Sequence, residues 1–270
     1  MSDSRPIGVF DSGLGGLTVV RELKRLLPNE NIVYFGDTGR VPYGTRSNDI
    51  VKKYAREDEK FLLSQNVKMI IAACGTVSSV AYMTADDLPV PFLEVVTPAA
   101  KAAVNVTKNS RIGVIGTPVT VKSRSHARAI LRLMPDAVIA ANSCPLFVPL
   151  VEEGWISSDD SVALEVAKRY LSPLTEGKVD TLIMGCTHYP AIRNIIAKVM
   201  GDGVTLIDPA TETAVEVKNH LEKNNMMNEN GGNCKYFVSD RPDTFSKIAQ
   251  ILMGENIEDG VKQVDIFRYI

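Results

Sequence analysis

At 270 residues the chain has material for one large or two modest domains with a substantial core. Its 45% hydrophobic and 23% charged residues are ordinary for a globular protein, and a net charge of −2 excludes a broad electrostatic case for nucleic acid or an anionic membrane. No apolar run is long enough to span a bilayer, the polar start does not read as a signal peptide, and Cys74, Cys144, Cys186 and Cys234 are too unevenly spaced for a disulfide framework; a cytoplasmic protein with free thiols is expected.

Ile7 to Phe10 reads as a short strand, and Asp11-Ser12-Gly13-Leu14-Gly15-Gly16 as a tight turn into a helix from Leu17 to about Leu27. The turn resembles a phosphate-binding one but lacks the G-x-G-x-x-G register. What raises it above a plain strand-to-helix turn is Asp11, an ionisable group at the carboxyl end of a strand. Asn31 to Phe35 is the second predicted strand. It leads into a glycine- and proline-rich loop, Gly36 to Gly44, that carries Asp37, Arg40 and Tyr43. Ser47 caps a long helix with apolar positions Ile50, Val51, Tyr54, Phe61 and Leu62. The run from Val67 to Ala73 is a third strand ending at Cys74, with a helix from about Thr76. Phe92 to Val96 is extended, and Thr97-Pro98 is a cap-plus-N1 pair opening a helix to about Val106.

From Arg111 the pattern starts again. Ile112 to Thr117 echoes Ile7 to Ser12, Cys186 echoes Cys74, and the Val204 to Pro209 segment echoes Glu94 to Pro98. The offsets are 105, 112 and 111 residues, in the same order. The chain therefore reads as internally duplicated. Between the echoes lie a helix from Thr117-Pro118 to about Leu133, a strand near Ala137 to Ala141, and helices over Leu146 to Glu153 and Asp159 to Leu171. After Pro209 a helix runs to about Lys223, then a polar surface loop spans 224–233. Strands at Cys234 to Val238 and Val264 to Phe267 flank a helix from Asp243 to Met253. The fold class is α/β: two pseudo-symmetric units with parallel sheets and a site in the cleft between them. Residues 1–97 with 209–270 form one unit, and 98–208 the other, inserted within it.

The chemistry concentrates on two matched strand ends. Cys74 lies seven positions after Val67 and Cys186 seven after Val179, and each cysteine is followed by a threonine within two positions. Two-fold duplication would set the sulfurs on opposite faces of one ligand. Racemising an α-amino acid needs a base on one face of Cα and an acid on the other, and a thiol of pKa roughly 8.5 serves either role with modest tuning. Other readings stand beside this one. Cys74, Cys186 and His188 could bind zinc, although Cys186-Thr187-His188 is cramped and no C-x-x-C occurs. The thiols could form a redox pair, or Cys186 could be a lone nucleophile with His188 as its base. Cysteine is also simply a good buried residue.

The motifs together carry a family resemblance over nearly the whole chain, from Ile7 to about Ser239. They are Phe10 to Gly16, Gly36-Asp37-Thr38 with Pro42-Tyr43-Gly44, Ala73-Cys74, Cys144 to Glu152, and Gly185 to Pro190. The chain resembles cofactor-independent glutamate racemases, which supply D-glutamate for peptidoglycan. The resemblance implies that Cys74 and Cys186 are the catalytic acid/base pair, that Asp11 assists Cys74, and that His188 assists Cys186. It places Asp37 and Glu152 as further acidic residues near the site. Ser12, Tyr43, Gly44, Thr76 and Thr187 are implied substrate contacts, with Asp11 and His188. It implies no pyridoxal phosphate and no metal, a small-molecule substrate (glutamate), no nucleic-acid or membrane partner, and a homodimer. One position departs from the family: Gly75 stands where asparagine normally follows the first cysteine. That removes an amide able to donate and accept hydrogen bonds, which keeps aspartate open as the substrate. A non-catalytic, two-lobed amino-acid-binding protein would keep Asp11, Ser12 and Thr187 but need neither thiol. His126 and His220 read as ordinary helix residues, and Trp155 as a packing or interface residue. With so short a stretch before Ile7, no N-terminal regulatory extension is expected.

Overall fold

The computed structural model describes residues 2–80, 87–240, 245–257 and 260–269. The first part of the chain runs β1 (Ile7–Asp11), α1 (Leu17–Leu26), β2 (Ile32–Gly36), α2 (Asn48–Ser64), β3 (Met69–Ala72), α3 (Gly75–Val80), β4 (Phe92–Glu94) and α4 (Val96–Val106). The alternation then repeats as β5 (Arg111–Gly116), α5 (Pro118–Ser123), α6 (Ser125–Leu133), β6 (Val138–Ser143), α7 (Phe147–Glu152), α8 (Ser161–Glu176), β7 (Thr181–Met184), α9 (Arg193–Met200), β8 (Thr205–Ile207) and α10 (Pro209–Lys223). The tail adds β9 (Cys234–Val238), α11 (Phe245–Met253) and β10 (Val261–Gln263).

The strands form two sheets, in the orders β10-β9-β2-β1-β3-β4 and β6-β5-β7-β8, and every pairing is parallel. Strip the tail from the first sheet and the two orders coincide, with β1 to β4 matching β5 to β8 one for one. The register matches too: the β1–β3 ladder ends at the pair Phe10–Ala72, and the β5–β7 ladder at Ile115–Met184. Each cysteine lies two residues beyond its strand, at the carboxyl edge where open parallel sheets place ligands. Central strands such as β1, β3 and β7 are buried throughout, as a parallel sheet covered by helices on both faces requires.

Local chemistry sets many element ends as the sequence suggested, and several otherwise. Ser47, Thr117 and Asp208 cap α2, α5 and α10, each accepting a backbone N–H with its side chain. At α4 the expected Thr97-Pro98 cap does not form. The Glu94 carboxylate accepts from the N–H of both Val96 and Thr97, so the helix starts earlier. The helix expected from Pro118 to Leu133 is broken by Arg124, whose φ of 56° ends α5 and starts α6. α8 continues through Pro173 to Glu176, beyond the expected end at Leu171. The final strand is Val261–Gln263, while Ile266–Tyr269 is a 3-10 turn rather than a strand. The expected start of the last helix, Asp243, lies outside the described residues.

At the amino ends of the strands a buried ion pair anchors the chain. Lys68 Nζ lies 2.6 Å from Glu30 Oε2 and donates to the carbonyls of Asp3 and Met226. Glu30 also accepts from the Asn228 N–H, and Asn228 is buried. The 224–233 loop, expected as a solvated surface segment, is therefore tied into the structure at its middle. Among the described residues no helix is long and apolar enough to cross a membrane.

Candidate active site

A cleft of about 400 Å³ opens between the carboxyl ends of the two sheets. From the first sheet it is lined by Asp11, Ser12, Tyr43, Gly44, Cys74, Gly75 and Thr76, and from the second by Glu152, Cys186, Thr187 and His188. Eleven of the twelve residues expected at the site thus converge on one cavity. Asp37 does not line it. It is fully buried behind Tyr43, whose hydroxyl donates to Asp37 Oδ2.

Cys74 is delivered by the end of β3 and faces the turn after β1. Its sulfur lies 3.4 Å from Ser12 Oγ, and burial together with the neighbouring Asp11 carboxylate pushes the thiol up to about 12. Asp11 is itself buried. Its Oδ2 accepts from the Gly13 N–H at 3.0 Å, and burial raises its carboxyl against the pull of backbone N–H groups and His188. Tyr34 donates to the Gly13 carbonyl at 2.8 Å and pins the turn from below.

Cys186 has a different partner. Its sulfur is 4.0 Å from His188 Nδ1, and His188 Nε2 is 3.1 Å from Glu152 Oε1 at the end of α7. Burial alone would lower the imidazole, but the Cys186 and Glu152 contacts outweigh it and raise His188 to about 10. His188 is thus an imidazolium at neutral pH. Equivalent strand ends carry two sulfurs, one beside a carboxyl group and the other beside an imidazole.

The lobes touch through small residues and hydroxyls. Thr76 Oγ1 lies 3.2 Å from Thr117 Oγ1, which in turn lies 3.0 Å from Thr120 Oγ1. Gly15 leaves room for Thr187, since a Cβ there would sit 2.0 Å from its Oγ1. Gly75 faces the backbone carbonyl of Gly185, 2.6 Å from where its Cβ would be. Among the described residues lining the cleft none is a lysine or arginine, so anionic groups of a ligand would meet hydroxyls, backbone N–H groups and His188.

Thr117, Pro118, Pro145, Val148 and Pro149 also line the cleft and were not singled out from the sequence. For Thr117 the signal existed: the duplication aligns it with Ser12. His126, read from sequence as an ordinary helix residue, is buried behind the cleft, beside the position a Gly185 side chain would take. Burial lowers its imidazole to about 4, so it is neutral. Trp155 is about half exposed and outside the cleft.

The chain is similar to known proteins over nearly its whole length. The model of the Asp/Glu/hydantoin racemase family matches residues 7–217. A glutamate racemase of Geobacter metallireducens is 43% identical over 265 residues, covering 97% of each chain. The structure of glutamate racemase from Francisella tularensis in complex with D-glutamate superposes with a TM-score of 0.92 at 37% identity, over 99% of this chain and 100% of that one. That of the Thermus thermophilus glutamate racemase in complex with β-chloro-D-alanine gives 0.89 at 44% identity, covering both chains fully.

Proposed function

Because this chain belongs to the Asp/Glu/hydantoin racemase family, we propose that it interconverts L- and D-glutamate by proton transfer between Cα and two cysteines, Cys74 and Cys186. The observation that carries the reading is the pair of sulfurs delivered by equivalent strand ends into one cleft, each with its own ionisable neighbour. One sulfur, as thiolate, takes the α-proton. The electron pair left on Cα delocalises into the carboxylate, and the other sulfur, as thiol, returns a proton to the opposite face. Each turnover exchanges the protonation states of the two sulfurs, so the reverse reaction starts from the form the forward one leaves.

Cys74, held protonated by burial and Asp11, serves one face of Cα, and Cys186, in contact with His188, serves the other. Glu152 fixes the imidazole ring, and Asp11, beside Cys74, sets how readily that sulfur gives up and takes back its proton. The hydroxyls of Ser12, Thr76 and Thr187, with the backbone around Tyr43 and Gly44, hold the substrate carboxylates and amine. Both proton-transfer groups belong to the protein, so the reading calls for neither pyridoxal phosphate nor a metal. Residues 1–97 with 209–270, and residues 98–208, are the two units that enclose the substrate. The D-glutamate formed would enter peptidoglycan synthesis in the cytoplasm, and the working form is a homodimer.

The test is exchange of the α-proton for deuterium, followed by NMR in D₂O, on both enantiomers of glutamate and of aspartate with no added cofactor. Exchange with inversion on glutamate supports the proposal. Exchange on aspartate alone would keep the chemistry and change the substrate. Exchange on neither would leave the binding-protein reading.

A further inference from the structure

The loop that brings Tyr43 and Gly44 to the cleft is held by a buried charge cluster that the reaction itself does not use. Arg40 donates from Nε to Asp37 Oδ2 at 2.5 Å, from Nη2 to Asp58 Oδ1 at 3.0 Å, and from Nη1 to Glu57 Oε2. Its guanidinium lies 4.1 Å from the centroid of the Tyr54 ring. The Tyr43 hydroxyl contacts Asp37 Oδ2 and lies 3.1 Å from Asp58 Oδ2. Asp37 and Asp58 are fully buried and Tyr43 nearly so. Lys53, at the rim, reaches only Glu57, at 4.0 Å.

The proton count of this cluster does not close with every carboxyl ionised. A phenol has one hydrogen, and here its oxygen stands within hydrogen-bond distance of two carboxyl groups. If Tyr43 donates to Asp37, the contact with Asp58 is oxygen against oxygen unless Asp58 brings a hydrogen of its own. Three carboxylates around one buried guanidinium would also leave two negative charges uncompensated, a costly arrangement away from water.

We propose that Asp58 is a positioning residue, protonated at neutral pH, whose carboxyl O–H donates to the Tyr43 oxygen while its other oxygen accepts from Arg40. Tyr43 then donates onward to Asp37, and the chain Asp58–Tyr43–Asp37 closes on Arg40. The ring fixes the loop from Asp37 to Thr45, and with it the Tyr43 and Gly44 backbone at the cleft. The groups facing Asp58 agree with this: burial and Asp37, with Glu57, push its carboxyl well above the usual range, against Arg40 and Tyr43. Asp58 does not itself line the cleft.

The inference rests on the racemase reading for its kinetic readout and on nothing but the fold for its spectroscopic one. Asp58→Asn is the conservative replacement, because its NH₂ can donate to Tyr43 and its carbonyl can accept from Arg40. Asp58→Ala can do neither. The expected result is a KM for glutamate within about threefold of the parent in Asp58→Asn, and raised about tenfold in Asp58→Ala, equivalent to about 1.4 kcal/mol; kcat should move less in both. Raising the pH should lift the KM of the parent as Asp58 ionises, a limb missing from Asp58→Asn.

Separately, with aspartate labelled by ¹³C at Cγ, the resonance lost in Asp58→Asn should lie in the protonated-carboxyl range at neutral pH. A carboxylate shift for that resonance, or Asp58→Asn behaving like Asp58→Ala, overturns the proposal. If the protein racemises nothing, the functional reading fails while the NMR result still decides whether Asp58 carries the proton.

Discussion

Gly75→Ala tests whether the cleft depends on two backbones meeting at its floor. A Cβ on residue 75 would lie 2.6 Å from the Gly185 carbonyl oxygen, where ordinary contact begins at about 3.4 Å. Relief therefore needs roughly 0.8 Å of separation between the start of α3 and the Gly185-Cys186 peptide. Because Gly75 follows Cys74 and Gly185 precedes Cys186, that movement falls between the two sulfurs. Misplacing reacting groups by about 1 Å costs on the order of 10²-fold. We expect kcat/KM for glutamate to drop by roughly tens to a hundredfold, mostly in kcat. Stability is the poorer readout: overpacking costs about 1–3 kcal/mol, but alanine gains about 1 kcal/mol over glycine in a helix, so the two partly cancel. Gly75→Asn, which installs the family's usual residue, meets the same carbonyl. It should lower kcat even if its amide improves KM. The assay is racemisation in both directions by circular dichroism of the amino acid. Parental kcat/KM in Gly75→Ala would refute the reasoning, because the lobes would then be adjusting freely around the added atom.

Two further outcomes follow from the site. Cys74→Ser and Cys186→Ser should each lose racemisation by roughly 10²–10⁴-fold, the range of one general acid or base. Each should still eliminate a β-leaving group from one glutamate-like enantiomer only, as read by product formation from each enantiomer; parental racemisation in both variants would sink the two-cysteine proposal. Glu152→Gln removes a partner that raises His188. With the folded value above the free one, the stabilising contribution is complete below about 6.5 and is lost as pH climbs through about 10. The alkaline limb of kcat/KM should therefore move to lower pH in the variant, and an unmoved limb would assign it to another group.

What the sequence made legible was the repeating part of the fold. Strands such as Ile7 to Phe10 and Thr181 to Met184 are short apolar runs with a turn behind them, and the near-constant offset between their echoes predicted two sheets of one design, which the matching orders of β1 to β4 and β5 to β8 show. Cys74, Cys186 and their neighbours were readable for the same reason: they sit just past strand ends. The misses fall where a side chain far along the chain decides. Thr97-Pro98 has the chemistry of a cap, but Glu94 reaches the same N–H groups first. Asp58 and Glu57 belong to an Arg-Glu-Asp-Glu-Lys stretch that reads as a solvated helix face. Only the tertiary position of Arg40 makes their burial tolerable, and no local pattern reports that. The loop at 224–233 reads as mobile by composition, yet Glu30 and Lys68 hold its backbone.

The duplication also limits what any asymmetry can do. The backbone presents the two sulfurs equivalently, while the side chains do not: Asp11 stands by Cys74, and His188 with Glu152 stands by Cys186. L- and D-glutamate are enantiomers with equal free energies, so kcat/KM must be the same in both directions for every variant. A defect on one face cannot appear there. It must appear in how kcat and KM separate, since the two directions start from opposite protonation states of the sulfurs. Asp11→Asn keeps an acceptor for the Gly13 N–H but removes the ionisable carboxyl group beside the Cys74 sulfur. It should lower kcat by about 10²-fold or more in the direction that begins with Cys74 as base, with KM falling alongside, and lower it less in the other. The measurement is initial rates from each pure enantiomer over a full range of substrate concentrations. Equal losses of kcat from both sides would show that Asp11 serves the two faces alike, and the assignment of one partner to each sulfur would have to be abandoned.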